Sequence, residues 1–268
     1  MKLENIKLIA LDLDGTLLDS FKNLSTCNIK ALENIKKKGV FISYASGRSL
    51  KSMQSVIDKF NPNGPLITYN GVKIYDQNRN ILYHQLLSEN DGIEVIKYCL
   101  KSNLTMIIWS NELLYCTKTN SNITKYASVS GLVPIVLGFD LMNYNIVLNQ
   151  GIDKILIYED HHLLLKVKDD LNNLTETSVE FSSPYYLEFF NKKASKGEGV
   201  KKVCEFLNVT LDNTMAFGDQ FNDASMLDVV KYPIVMGNSV EELKIKYKNV
   251  TLSNDENGVA FIINKIIN

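Results

Sequence analysis

The fold turns on Ile6-Lys7-Leu8-Ile9-Ala10-Leu11-Asp12-Leu13-Asp14-Gly15-Thr16. Ile6–Leu11 is a short, nearly continuous apolar run, the pattern of a strand buried on both faces in a parallel sheet. Ligands of open parallel sheets bind beyond the carboxyl ends of the strands, so Asp12 and Asp14 are expected at that edge. Alternate residues of an extended chain point the same way, and two carboxylates one residue apart can therefore converge on one site. Gly15 lets the backbone turn sharply, and the Thr16 hydroxyl is expected to fix that turn. An aspartate-rich turn that merely ends a strand is the ordinary alternative, and the rest of the chain has to decide between them.

Outward from this stretch, strands and helices alternate. Leu24–Lys38 carries Ile29, Leu32 and Ile35 at helical spacing behind Ser25 and Thr26, and Gly39 stops it. Val40–Ala45 reads as a strand, Leu50–Phe60 as a helix ended by Asn61-Pro62, and Leu66–Tyr69 as a third strand. Val72–Tyr75 and Ile81–His84 form an expected hairpin. Alternation returns with helix Lys196–Leu207, strand Met215–Phe217, helix Asn222–Val229 and strand Pro233–Met236, and continues through Val240–Lys246, Val250–Leu252 and Gly258–Ile267. Between the halves the pattern changes to helix Asp91–Lys101, strands Leu104–Trp109, Leu113–Thr117 and Lys154–Tyr158, helix His161–Leu171 and strand Ser178–Phe181. The reading is an α/β protein: a Rossmann-like parallel-sheet core in two parts, 1–85 and 185–268, with an inserted α+β domain at 86–184.

The totals exclude several classes. Among 268 residues, 29 Lys and Arg against 30 Asp and Glu leave a net charge of −1, which offers no general attraction to nucleic acid or to an anionic membrane. Asp12 and Asp14 interrupt the apolar run that follows Lys2 and Lys7, so it does not read as a signal peptide, and no stretch reaches the length of a membrane span. Cys27, Cys99, Cys116 and Cys204 are isolated, which fits thiols in a reducing compartment and makes the cytoplasm the expected location.

Three further segments carry chemistry. Gly218-Asp219-Gln220-Phe221-Asn222-Asp223 follows another apolar strand and adds one or two carboxylates at another carboxyl end. Three or four aspartates in one crevice repel unless a cation neutralises them, and hard oxygens without His or Cys suit Mg2+. Ser46-Gly47-Arg48 ends the second strand, where a hydroxyl and a bare backbone amide before a helix suit a phosphate oxygen. Lys196 opens the helix that returns from the insertion, where a cation could face the carboxylates. Each of the last two says little by itself, since Ser-Gly turns and solvated lysines are common. His161-His162 is set aside as a metal site because adjacent helical residues face different ways. Tyr185, Tyr186, Phe189, Phe190 and Trp109 are read as packing.

Taken in order, Asp12-Leu13-Asp14-Gly15-Thr16, Ser46-Gly47-Arg48, Ser195-Lys196-Gly197 and Gly218-Asp219 with Asn222-Asp223 resemble the four motifs of the haloacid dehalogenase-like phosphatases. The position of the insertion, and Asn70-Gly71 after the third strand, resemble the type IIB, Cof-like branch with its C2-type cap. Ser46 stands where many members have Thr, and Glu198-Gly199 lies in a variable stretch. The resemblance implies that Asp12 is a nucleophile forming an aspartyl-phosphate and that Asp14 is the acid and then the base. It implies Mg2+ held by Asp12, the Asp14 carbonyl and Asp219, with Asp223 orienting its shell. It further implies phosphate or substrate contacts from Leu13, Ser46, Gly47, Arg48, Asn70, Gly71, Lys196 and Asn222. The implied partner is a small phosphorylated metabolite, a sugar phosphate or a phosphorylated cofactor such as a flavin or pyridoxal phosphate, with the cap closing over the site. A monomer or weak homodimer without nucleic acid or membrane partner is expected. Transfer of the phosphoryl group to a second hydroxyl stays open as an alternative, and a phosphoryl-receiving signalling module is disfavoured by Asp14 and by the length.

Overall fold

The strand at Leu8–Leu11 buries both faces, and its alternation sorts the core into two layers. Ile9 and Leu11 pack into one apolar cluster, while Leu8 and Ala10 pack into another. The computed structural model describes residues 5–129, 131–172 and 177–267. In chain order the elements are β1 (Leu8–Leu11), α1 (Thr26–Lys37), β2 (Phe41–Tyr44), α2 (Leu50–Lys59), β3 (Leu66–Thr68), β4 (Lys73–Tyr75) and β5 (Ile81–His84). Then come α3 (Glu89–Lys101), β6 (Thr105–Ser110), β7 (Leu113–Cys116), α4 (Ser121–Val129), β8 (Ile135–Val136), α5 (Asn145–Gln150), β9 (Lys154–Tyr158), α6 (His161–Asn172), β10 (Thr177–Ser183) and β11 (Tyr186–Asn191). The chain ends with α7 (Lys196–Leu207), β12 (Thr214–Gly218), α8 (Ala224–Val229), β13 (Tyr232–Val235), α9 (Glu241–Lys246) and α10 (Gly258–Ile267).

Two units emerge, one holding the chain up to His84 and again from Ser195, the other Gln85–Ala194. In the first, four parallel strands run in the order β13-β12-β1-β2, so Asp12, Ser46 and Asp219 all follow strands at the same edge. One face carries Leu32 and Ile35 of α1, Met53 and Val56 of α2, and Ile263 of α10. The other carries Val200 and Val203 of α7, Met226 of α8 and Leu243 of α9. Ser25 and Ser49 cap α1 and α2, each accepting a backbone N–H three residues on. The expected third parallel strand is a different object: β3 joins β4 and β5 in an antiparallel sheet, and one parallel bridge, Ala45 to Ile67, ties it to the end of β2. Val250 likewise makes a single bridge to Val235 instead of a strand.

The second unit is a six-stranded sheet, β10-β11-β9-β6-β7-β8, with α3, α5 and α6 packed on one face through Val95, Val147 and Leu164. It runs to Ala194, whereas the sequence reading returns the chain to the core at 185. The reason is β11, which pairs antiparallel with both β10 and β9 and so belongs to this sheet. Helices α4 and α5 have no counterpart in the sequence reading. Lys154 and Glu188, from adjacent parts of the sheet, form a buried ion pair of 2.9 Å. His161 contacts the Phe181 ring and the Pro184 carbonyl and joins no metal-binding cluster among the described residues. Cys27, Cys99, Cys116 and Cys204 are free thiols, and no helix among the described residues is long and apolar enough to cross a membrane.

Candidate active site

The carboxyl ends of β1 and β12 and the N-terminus of α7 bring four charged side chains together. The Lys196 ammonium donates to Asp12 Oδ1 and to Asp223 Oδ1, each at 2.6 Å, and Lys196 is 1% exposed. Carboxylate oxygens of Asp12, Asp219 and Asp223 all lie within 4.8 Å of one another, and all three residues are buried. Asp223 is fully engaged: its second oxygen accepts the backbone N–H groups of Asp219 at 2.8 Å and Gln220 at 3.0 Å, which fixes the loop after β12. Asp219 accepts the Thr16 hydroxyl at 2.8 Å. That hydroxyl therefore ties β1's turn to β12's loop, where the sequence reading has it bracing its own turn.

Close approach explains the glycines. Gly15 sits at φ +85°, and a Cβ there would lie 2.4 Å from Asp219 Oδ2, so the turn admits no side chain. Gly197 and Gly199 bring α7 against the Ser225 carbonyl and Ile67, delivering Lys196 to the crevice.

The electrostatics are those of a cation site. Burial first, then the Asp223 charge, raises the Asp12 carboxyl well above its ordinary value, and Lys196 only partly offsets this. Burial and Asp223 likewise lift Asp219 to about 6. Burial alone would depress Lys196, but Asp12 and then Asp223 reverse this and hold it charged, above its ordinary value. Three carboxylates against one ammonium leave two negative charges uncompensated, the charge of one divalent cation. The all-oxygen donor set fits a hard ion of the Mg2+ kind.

Asp14 departs from the expectation that it would converge with Asp12. Its carboxylate is outside the cluster and is gripped by Arg48, with Nε to Oδ2 and Nη2 to Oδ1 both at 2.7 Å, and by Lys22 at 2.9 Å. Burial would raise its pKa, but the Arg48 guanidinium and then Lys22 outweigh it and hold the carboxyl below its ordinary value. Arg48, expected at the phosphate, spends its guanidinium on Asp14 and on the Ser52 carbonyl. A bidentate carboxylate match is the geometry a guanidinium favours, and it leaves little for another anion.

Around this cluster, the Ser46 hydroxyl is buried and accepts the Arg48 N–H at 3.2 Å. Leu13 is buried, and its carbonyl accepts from Leu17 and Leu18. Asn222 Nδ2 donates to Asn70 Oδ1 at 3.2 Å, and Asn70 lies against Gly47. Gly71, expected as a substrate contact, instead packs on the Ser195 backbone, where a Cβ would lie 2.1 Å from the carbonyl oxygen. The sequence reading misses Lys22, and it misses two asparagines that hold β1's turn: Asn238 donates to the Gly15 carbonyl and Asn254 to the Leu18 carbonyl, at 2.8 and 2.9 Å. Nothing in their local pattern separates them from ordinary loop asparagines.

Comparison with known proteins places this geometry. Residues 9–263 match the family model described as haloacid dehalogenase-like hydrolase. A 5-amino-6-(5-phospho-D-ribitylamino)uracil phosphatase of Bacillus subtilis is 29% identical, over 96% of this chain and 94% of the relative. An HMP-PP phosphatase of Yersinia pestis is 28% identical, over 89% of this chain and 86% of the relative. The crystal structure of a haloacid dehalogenase-like hydrolase from Bacteroides thetaiotaomicron superposes with a TM-score of 0.86 at 28% identity, over 97% and 99% of the two chains.

Proposed function

The chain belongs to the haloacid dehalogenase-like hydrolases and is a phosphatase of that family, and from this premise we propose that it hydrolyses a small phosphomonoester through a phosphoryl group carried on Asp12. One observation carries the reading: a buried Lys196 ammonium bridges Asp12 and Asp223 inside a carboxylate cluster that is two positive charges short. Asp12 and Asp219 would hold Mg2+, with the Asp14 carbonyl as a further ligand and Asp223 fixing the Asp219 loop and Lys196. Bound there, the ion supplies positive charge to the transferring phosphoryl group and keeps Asp12 ionised.

The chain's own groups then divide the work. An Asp12 carboxylate oxygen attacks phosphorus, the bond from phosphorus to the ester oxygen breaks, and Asp14 gives its proton to that oxygen. Water next attacks the phosphorus carried on Asp12, Asp14 takes a water proton, the bond from phosphorus to the Asp12 oxygen breaks, and inorganic phosphate leaves with Asp12 restored. Lys196 holds the Asp12 oxygen in place and offsets charge that builds on the equatorial oxygens. Ser46, the Gly47 amide and Asn222 would take those oxygens. The grip of Arg48 and Lys22 keeps Asp14 as a carboxylate, the form the second half-reaction needs. Its acid role in the first half requires that grip to loosen.

We assign the choice of leaving group to the Gln85–Ala194 unit, the role that the resemblance to the C2-capped branch implies for it. Phosphorylated cofactors such as a flavin or pyridoxal phosphate come first as substrates, supported by one relative named for a 5-phospho-ribitylamino-uracil and another for HMP-PP. The cytoplasm belongs to the same proposal, supported by four free cysteines. The test is phosphate release from para-nitrophenyl phosphate, sugar phosphates and phosphorylated pyrimidine, flavin and pyridoxal compounds, with Mg2+ and with EDTA. Release that needs Mg2+ is expected, with the ring-bearing esters ahead. No release from any ester would overturn the proposal.

A further inference from the structure

Tyr69, Asn70 and Gly71 occupy three successive left-handed positions, with φ of +49°, +55° and +99°. Asn and Gly adopt such positions readily, whereas a bulky aromatic residue is strained there, so Tyr69 is the one that its surroundings must hold. A two-residue hairpin carries positive φ at both of its loop positions, as Asn111 and Glu112 do between β6 and β7, so joining β3 to β4 accounts for two such residues and not for a third. What the turn touches is more telling. The Tyr69 N–H donates to the Arg48 carbonyl and the Asn70 N–H to the Ser46 carbonyl, both at 3.0 Å, which pins the loop after β2 at both ends. Asn70 Oδ1 accepts from the Asn222 amide at 3.2 Å and lies 3.1 Å from where a Gly47 Cβ would stand. Gly71 abuts the Ser195 backbone immediately before Lys196. One buried turn thus contacts the segments bearing Ser46 and Gly47, Lys196, and Asn222, three parts of the chain far apart in sequence.

We infer that this left-handed turn sets the geometry of the phosphate-binding groups, with Asn70 as a positioning residue that orients the Asn222 amide and covers the Gly47 backbone without itself binding the substrate. The inference rests on the phosphatase reading above and deepens it. A primary amide has two N–H groups, so when Asn222 gives one to Asn70 the other stays available to a phosphate oxygen in a fixed direction. The left-handed backbone is what allows Asn70 to offer its N–H to one phosphate segment and its side chain to another.

The test compares Asn70→Gly and Asn70→Ala with the wild type, using inorganic phosphate with Mg2+ as the probe and thermal melting as the readout. Glycine accepts φ +55° without strain, so Asn70→Gly should melt within about a degree of the wild type, whereas Asn70→Ala should melt several degrees lower. Both should need about 5- to 10-fold more phosphate for the same stabilisation, the loss expected from one hydrogen bond to an oriented amide. In hydrolysis the loss should fall on KM more than on kcat, and Asn70→Gly should add little in an Asn222→Ala background, because Asn70 acts through Asn222. A wild-type phosphate response in Asn70→Gly would overturn the inference. So would equal destabilisation of both variants, which would make the turn only structural. A wild type that hydrolyses no ester, yet is stabilised by phosphate in an Asn70-dependent way, would count against the hydrolytic proposal and uphold this one.

Discussion

Replacing Asp219 by Asn should make the metal-free protein more stable while destroying its response to Mg2+. Burial and the neighbouring Asp223 charge place the Asp219 carboxyl at about 6 against an ordinary 3.8. A carboxylate whose folded pKa lies above its unfolded value binds more protons when folded. Stability therefore falls as pH rises through the window from about 4 to about 6. A gap of about two pH units corresponds to about 3 kcal/mol. Asp14 and Asp228 are held below the ordinary value, so their contributions are complete above it and are lost only as pH falls further, outside this window. The amide of Asp219→Asn would keep an oxygen for the Thr16 hydroxyl and remove the charge. At about 2–4 °C per kcal/mol for a unit of this size, Asp219→Asn in EDTA at about pH 7.5 should melt about 6–12 °C above the wild type. Calorimetry from about pH 4.5 to about pH 7.5, with EDTA and with Mg2+, measures it. The wild type should lose stability across that range in EDTA and recover it with Mg2+, as an ion that binds only the folded state requires. An Asp219→Asn variant less stable than the wild type in EDTA at the upper end, or a wild type that gains stability over the range, would refute the reasoning.

Two other outcomes are expected. Removing the guanidinium in Arg48→Gln leaves Lys22 alone against burial at Asp14, so the limb of the kcat/KM pH profile that belongs to Asp14 should move to higher pH; an unmoved limb would show that Arg48 does not set it. In the second unit, Lys154→Met leaves the buried Glu188 carboxylate without its ammonium partner and opposite Glu180 on β10, which should cost about 3–5 kcal/mol in chemical denaturation, while Lys154→Met with Glu188→Leu should recover most of it. Equal losses in the single and double variants would mean that burial of Glu188's charge is not the cause.

Much of the site is legible in the chain because a parallel sheet delivers strand ends to one edge. An apolar run ending in Asp12 and another ending in Asp219 have to meet there, and Lys196 at the mouth of a helix, followed by Gly197 and Gly199, has to approach them. The partners of the charges are not legible. Asp14 follows Asp12 by two residues, yet it turns to Arg48 and Lys22, and only the loop at 19–23 and the end of β2, brought together in space, decide that. The left-handed run at 69–71 is equally hidden. Asn-Gly announces a turn, but Tyr69 at positive φ is a tertiary outcome. The end of the inserted unit falls at 194 instead of 184 because β11's aromatic residues suit either sheet, and its pairing with β9 is settled only by a strand far away in sequence.

The most direct measurement of the central claim is phosphate release by Asp12→Asn beside the wild type, with Mg2+, together with mass-spectrometric mapping of the phosphoryl group in acid-quenched wild-type turnover. The amide is nearly isosteric, so the variant should fold. The account predicts a phosphoryl group on Asp12 in the wild type, and neither adduct nor turnover in Asp12→Asn. Undiminished turnover in Asp12→Asn, or a phosphoryl group on any other residue, would contradict it.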